Sequence, residues 1–145
     1  ALSWCLMEID DARRAIANRA LAELGTPFRL FGQTSKVGLD CVGLALIALG
    51  PLLPDRMVMR PYHLRGEQLE TVRQSLAGTA LVELDCPDER LPGDLALVSP
   101  SPSQLHFMIA ALGGWVHSDA ALRRVVLRPG PLPWQLRSLW RLSRI

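Results

Sequence analysis

The periodicity of the chain changes once, at Gly78. Before it, apolar residues recur at helical spacing. After it, they fall in short runs separated by turn residues. A chain that spends its helices first and its strands afterwards reads as α+β, with helices packed on an antiparallel sheet. Its 145 residues, 49 % of them hydrophobic, suffice for one domain spanning 1–145 with a core of its own.

Residues Asp10 to Leu24 predict the first helix. Ile16, Ala20 and Leu24 form its apolar face, and Arg13, Arg14 and Arg19 a solvated one. Asp10 or Asp11 would cap its start, and Gly25 follows its end. Thr26 to Lys36 reads as a loop. A second helix starts at Asp40-Cys41, is apolar nearly all round, and stops at Gly50-Pro51, so it should be buried. Leu53 to Pro61 reads as irregular and Leu64 to Leu76 as a third helix. Strands are expected at Ala80–Leu84, Leu95–Val98, Leu105–Leu112, Trp115–Ser118, Arg124–Arg128 and Trp134–Leu142. Leu91-Pro92-Gly93-Asp94 is a turn, and Gly113-Gly114 is the expected tip of a hairpin.

Charge excludes one class of function. Sixteen basic residues nearly cancel against 14 acidic ones, leaving +2, which does not support nucleic-acid binding by bulk charge. The first residues are briefly apolar and then meet Glu8, Asp10 and Asp11, so no signal peptide is visible. The longest apolar stretch, Cys41 to Pro54, is broken by Gly43, Gly50 and Pro51 and predicts no membrane span.

Reactive side chains are scarce: three Cys, three His, one Tyr and one Lys. Cys41 opens the buried helix in Asp40-Cys41-Val42-Gly43-Leu44. Unpaired N–H groups at a helix start favour thiolate and can hold an oxyanion, and Gly43 permits close approach by a second chain or a substrate. His106 opens the strand His106-Phe107-Met108-Ile109-Ala110, and His117 sits near the end of the next one. A Cys with two His in this order suggests a cysteine hydrolase in which His106 is the base and His117 holds its tautomer. A turn at Gly113-Gly114 would pair His117 with Ala110, on the same face as His106 but roughly 13 Å away at about 3.3 Å per residue. Contact then requires a bulge, strong twist or another register, and Ser118 or Asp119 is the alternative third group. Cys5, Cys86 and His63 read as bystanders. No phosphate loop, zinc-ligand pair or serine elbow is present, so no cofactor or metal is expected. A zinc site from Cys41, His106 and His117 has no local spacing behind it.

These pieces together resemble the NlpC/p-sixty cysteine peptidases, over nearly the whole chain. Ala20 to Phe28 is similar to the family's helix followed by Gly-x-Pro-Tyr, and Asp40-Cys41-Val42-Gly43-Leu44 to its Asp-Cys-Ser-Gly-Leu. Leu91 to Leu95 is similar to its Pro-Gly-Asp-Leu turn, His106 to Ile109 to its His-Val-Gly-Ile strand, and Val116-His117-Ser118 to its Ile-His-Ala strand. The resemblance implies a papain-like α+β fold with the nucleophile helix packed on a small antiparallel sheet. It implies Cys41 as nucleophile, His106 as base and His117 as orienting group, with Asp40, Val42, Gly43 and Phe28 around the oxyanion and substrate groove. It implies peptidoglycan stem peptides as substrate, cut at D-γ-glutamyl-diaminopimelate without a metal, at the bacterial cell envelope. Phe28 for Tyr, Val42 for Ser and Met108 for Gly leave that catalytic set intact and bear on peptide preference. The Tyr62 insertion and the Trp134 and Trp140 segment resemble the branch carried by phage tails and gene-transfer particles, which implies tail-tip proteins as partners. The alternatives are a non-catalytic tail-tip or peptidoglycan-binding protein on the same fold, and a Cys/His acyltransferase or thioesterase.

Overall fold

The computed structural model describes residues 2–52, 69–85 and 89–143, with the side chains of 2–7 and 51 left aside. Expectations at Leu53–Pro61, Tyr62, His63, 64–68 and Cys86 lie outside the described residues. The elements are α1 (Leu2–Leu21), β1 (Gln33–Thr34), β2 (Gly38–Leu39), α2 (Cys41–Leu49), a 3₁₀ turn (Gly50–Leu52), α3 (Leu69–Leu76) and β3 (Leu81–Leu84). They continue with β4 (Leu95–Ser101), β5 (Gln104–Ala111), β6 (Gly114–Asp119), β7 (Arg124–Arg128) and β8 (Gln135–Leu142). The switch at Gly78 is real: α3 ends two residues before it and the main sheet begins three residues after it. Among the described residues no helix is long and apolar enough to cross a membrane.

Helix α1 begins well before Asp10. The two aspartates do not cap it; they pair one turn on, Asp10 with Arg13 at 3.6 Å and Asp11 with Arg14 at 2.8 Å. The helix stops at Leu21, so Leu24 leaves the apolar face and is 44 % exposed. Arg13 and Arg19 are only partly solvated. Arg13 Nε donates to the Leu142 carbonyl at 2.9 Å and Arg19 Nε to the Ala48 carbonyl at 2.8 Å, tying α1 to β8 and α2.

The main sheet has six strands in the order β3-β8-β4-β5-β6-β7, every neighbouring pair antiparallel. Side-chain alternation gives it two buried faces. Leu95, Leu97, Leu105, Phe107, Ile109 and Val116 join the helices in the main core. Ala96, Val98, Met108, Ala110, Trp115 and Leu139 form a second cluster, with Leu132 and Trp134 packed against it. Helix α2 is buried along most of its length in the main core, as its all-round apolarity predicts.

The segment after α1 closes one edge of this sheet. Gly25 N–H donates to the Val125 carbonyl, Val125 N–H to the Thr26 carbonyl and Phe28 N–H to the Arg123 carbonyl, each at 2.9 Å. The loop expected over Thr26 to Lys36 contains β1, and β2 follows just after it; the two form a ribbon too short to show a period.

Candidate active site

The helix carrying Cys41 starts where Asp40 dictates. Asp40 is extended (φ −93°, ψ −173°), and its Oδ1 accepts the Gly43 N–H at 2.8 Å, an N-cap bond. Its Oδ2 accepts the Phe31 N–H, also at 2.8 Å, so one carboxylate fixes both the helix start and the loop before it. Phe31 is held at φ +63°, a left-handed conformation unusual for a bulky residue. A Cβ on Gly43 would lie 2.0 Å from the Gly32 carbonyl oxygen. The close approach that Gly43 permits is therefore taken by the protein's own loop. Val42 is buried in the main core. The structure thus places Val42 and Gly43 beneath the site, not on its surface.

Cys41 is an unpaired thiol. Burial, assisted by the neighbouring Asp40 charge, pushes it up to about 12, while the backbone amides of Phe107, Val42 and Cys41 pull the other way. This corrects the expectation of a preformed thiolate. The helix start that would stabilise the anion is desolvated, and its Gly43 amide is already spent on Asp40. Asp40 is itself raised by burial, against the backbone amides it accepts.

The two histidines meet. His106 Nε2 and His117 Nδ1 lie 2.9 Å apart, with ring centroids at 5.1 Å and planes at 89°. The predicted separation fails because the hairpin turns one residue earlier. Ala111 pairs with Gly114, Ala110 with Trp115 and Ile109 with Val116, so Leu112-Gly113 is the tip. Continuing this register sets His117 opposite Met108, two positions from His106 and on the same face. No bulge is needed between these strands. Gly114 belongs to β6 because a Cβ there would strike the Arg128 carbonyl oxygen at 2.2 Å.

Burial lowers His106 to about 3, with a smaller push from His117 and an opposing pull from Asp119. Burial also lowers His117, with Asp119 opposing and Arg128 adding to it. Both rings are neutral at pH 7. His117 is 1 % exposed, and its Nε2 has no oxygen or nitrogen partner among the described residues.

Cys41, His106 and His117 line one cavity of about 420 Å³. Its other walls include Phe28, Leu30, Asp40, Gln104, Leu105, Ser118, Asp119 and Trp134. Ser118 is turned away by alternation, and its hydroxyl donates to the Leu39 carbonyl at 2.6 Å. Asp119 Oδ1 accepts the N–H groups of Ala121 and Leu122 at 2.8 and 3.1 Å. Neither occupies the position that His117 holds against His106. Trp134 was not among the residues the sequence marked for this site; a lone Trp after a proline carries no local sign of where it points. Among the described residues no three His, Cys, Asp or Glu side chains converge as metal ligands.

No protein-family model matches the chain, and no curated protein matches it by sequence. Solved structures do match. NlpC1 from Trichomonas vaginalis superposes with a TM-score of 0.64 at 21 % identity, over 91 % of this chain and 44 % of that one. The P60 domain of an M. avium subspecies paratuberculosis antigen gives 0.59 at 19 % identity, over 91 % of this chain and 95 % of the domain. The peptidoglycan hydrolase RipB from Mycobacterium tuberculosis gives 0.61 at 20 % identity, over 93 % of this chain and 66 % of that one. The chain therefore spans less than half the length of the Trichomonas protein and almost all of the isolated P60 domain. Its fold is the papain-like α+β fold of the NlpC/P60 domains.

Proposed function

We propose that the protein is a cell-wall hydrolase of NlpC/P60 type that cleaves peptidoglycan stem peptides with Cys41 as nucleophile. The observation that carries this reading is the 2.9 Å His106–His117 contact in the same cavity as the thiol at the head of α2. The likeness of the fold to that of a peptidoglycan hydrolase supports the substrate class.

In this reading His106 takes the thiol proton as sulfur attacks the amide carbonyl, because the resting thiol is not ionised. The Cys41 amide, at the open end of α2, faces the developing oxyanion, since the Gly43 amide is engaged. His106 then protonates the leaving amine, and water activated by the same ring releases the acyl group. His117 holds His106 in place. Following the resemblance, the bond is D-γ-glutamyl-diaminopimelate and the place of action the bacterial envelope. Carriage by a phage-like particle with tail-tip partners rests only on the Tyr62 and Trp134–Trp140 segments.

One observation favours a second reading, a non-catalytic tail-tip or peptidoglycan-binding protein: the resting thiol and imidazole are both uncharged. Purified muropeptides separate the two. The native chain should cleave them and Cys41→Ala should not, with an unchanged circular dichroism spectrum. Cleavage by the alanine variant would sink the mechanism, and no cleavage by the native chain would favour the binding reading. Cleavage of acyl thioesters in place of muropeptides would move the chain to the acyltransferase or thioesterase class.

A further inference from the structure

Three aromatic rings pack mutually on edge at the site. The two imidazoles are perpendicular to each other, and both are perpendicular to Trp134, whose ring lies 5.8 Å from His106 at 87° and 5.9 Å from His117 at 86°. Trp134 comes from the turn before β8, lines the cavity, and is backed by the Arg128 guanidinium, 5.8 Å from its ring centroid. We propose that Trp134 is a positioning residue that keeps water from the His106–His117 hydrogen bond, and so holds His106 in the tautomer whose Nδ1 is free to take the Cys41 proton. The role in proton transfer rests on the hydrolase reading above; the control of the tautomer does not.

The argument is one of competition for a single proton. Two neutral imidazoles 2.9 Å apart share one N–H···N bond, and either ring can be the donor. His106 serves as a base toward the cavity only if its own Nε2–H is the donor, which leaves Nδ1 with its lone pair. Water entering beside the pair would offer His117 Nδ1 another donor and His106 another acceptor, and the tautomers would mix. A dry site makes the bond between the rings stronger and the choice firmer. In the productive tautomer His117 carries its proton on Nε2, the buried atom without an oxygen or nitrogen partner. A perpendicular aromatic ring at this separation can offer its π face to such an N–H, so Trp134 suits that tautomer in particular. The charged groups facing the pair are Asp119 and Arg128, which act in opposite directions.

Imidazole nitrogen shifts of the full chain test this without any substrate. The native chain and Trp134→Phe should show His106 protonated on Nε2 and uncharged down to about pH 5. In Trp134→Ala, His106 should titrate closer to its ordinary value of 6.5 and populate both tautomers. Trp134→Leu stands in for the alanine variant if that one does not fold, with the same shift in smaller size. Unchanged tautomer and titration in the folded alanine or leucine variant would overturn the proposal. On muropeptides, kcat should fall at least about 10-fold in Trp134→Ala with KM within about 3-fold, and Trp134→Phe should restore it. A native chain that holds this tautomer but cuts no stem peptide would overturn the hydrolase reading alone.

Discussion

Arg141 grips Asp94 with two parallel hydrogen bonds, Nε to Oδ1 at 2.9 Å and Nη2 to Oδ2 at 2.8 Å. Asp94 is fully buried, and its Oδ2 also accepts the Leu91 N–H at 2.8 Å, closing the turn that precedes β4. The Pro-Gly-Asp-Leu sequence is thus a joint between that turn and β8. Removing the carboxylate leaves the Leu91 amide without its acceptor, while Arg141, 18 % exposed, keeps water and the Glu89 carbonyl, so a loss of about 1–3 kcal/mol is expected. Asp94→Ala should lower the stability measured by urea unfolding by that order. It should leave the His106–His117 contact, and any cleavage rate of the folded fraction, close to native.

Asp40→Asn retains one acceptor oxygen where the carboxylate has two, so either the Gly43 or the Phe31 amide loses its partner. A loss of about 1–2 kcal/mol in chemical denaturation is expected. The same change removes a negative charge that raises Cys41. The pH midpoint for alkylation of Cys41 by iodoacetamide should therefore move down from about 12. A midpoint that moves up would contradict the assigned cause.

Stability should depend on pH in two separate windows. His106 is lowered from 6.5 to about 3 on folding, so between those values the unfolded chain binds the extra proton. Stability from this group is complete above 6.5 and is lost as pH falls toward 3, with a slope approaching about 1.4 kcal/mol per pH unit. His117 is lowered too and adds to the loss on the same side. Cys41, raised from 9.0 to about 12, has the opposite sense: its contribution is lost as pH rises above 9. Urea midpoints from pH 4 to 10 should form a plateau between the two windows. His106→Asn should flatten the acid side.

Gly43→Ala should damage the protein without touching a reactive group. The added methyl would overlap the Gly32 carbonyl oxygen, a backbone atom with no freedom to rotate away. The loop from Arg29 to Asp40 must shift, breaking the Phe31–Asp40 bond. Thermal unfolding should show a loss of several kcal/mol, within the range for overpacked cores. Gly78→Ala, where a methyl meets open space, should suffer only from the strain of an L side chain at φ +82°, and the smaller loss makes it the control.

The order of elements and the start of α2 were legible because each rests on a local rule. Gly78 separates two periodicities, and Asp40 is a capping residue in front of an apolar run. Strands β4 to β8 fall within three residues of their expected bounds. What was not legible depended on partners distant in the chain. Asp10 and Asp11 pass for caps until Arg13 and Arg14 are seen to take them. The hairpin tip is set by the crowding of Gly114 against Arg128, fourteen residues on, and no pattern within β5 and β6 shows it. The same holds for the thiol. A helix start predicts an acidic Cys41, and only its burial in the core, which no local pattern shows, reverses the sign.

The hydrogen bonds from Gly25, Thr26 and Phe28 to residues 123–125 have a consequence for assembly. Sheets polymerise by recruiting strands at unpaired edges, and the outward-facing Val125 amide and carbonyl are already occupied. A foreign strand finds no docking rail along this part of β7. The chain acts here as a terminator of its own sheet, and Phe28, one of the residues that end it, also forms part of the cavity wall.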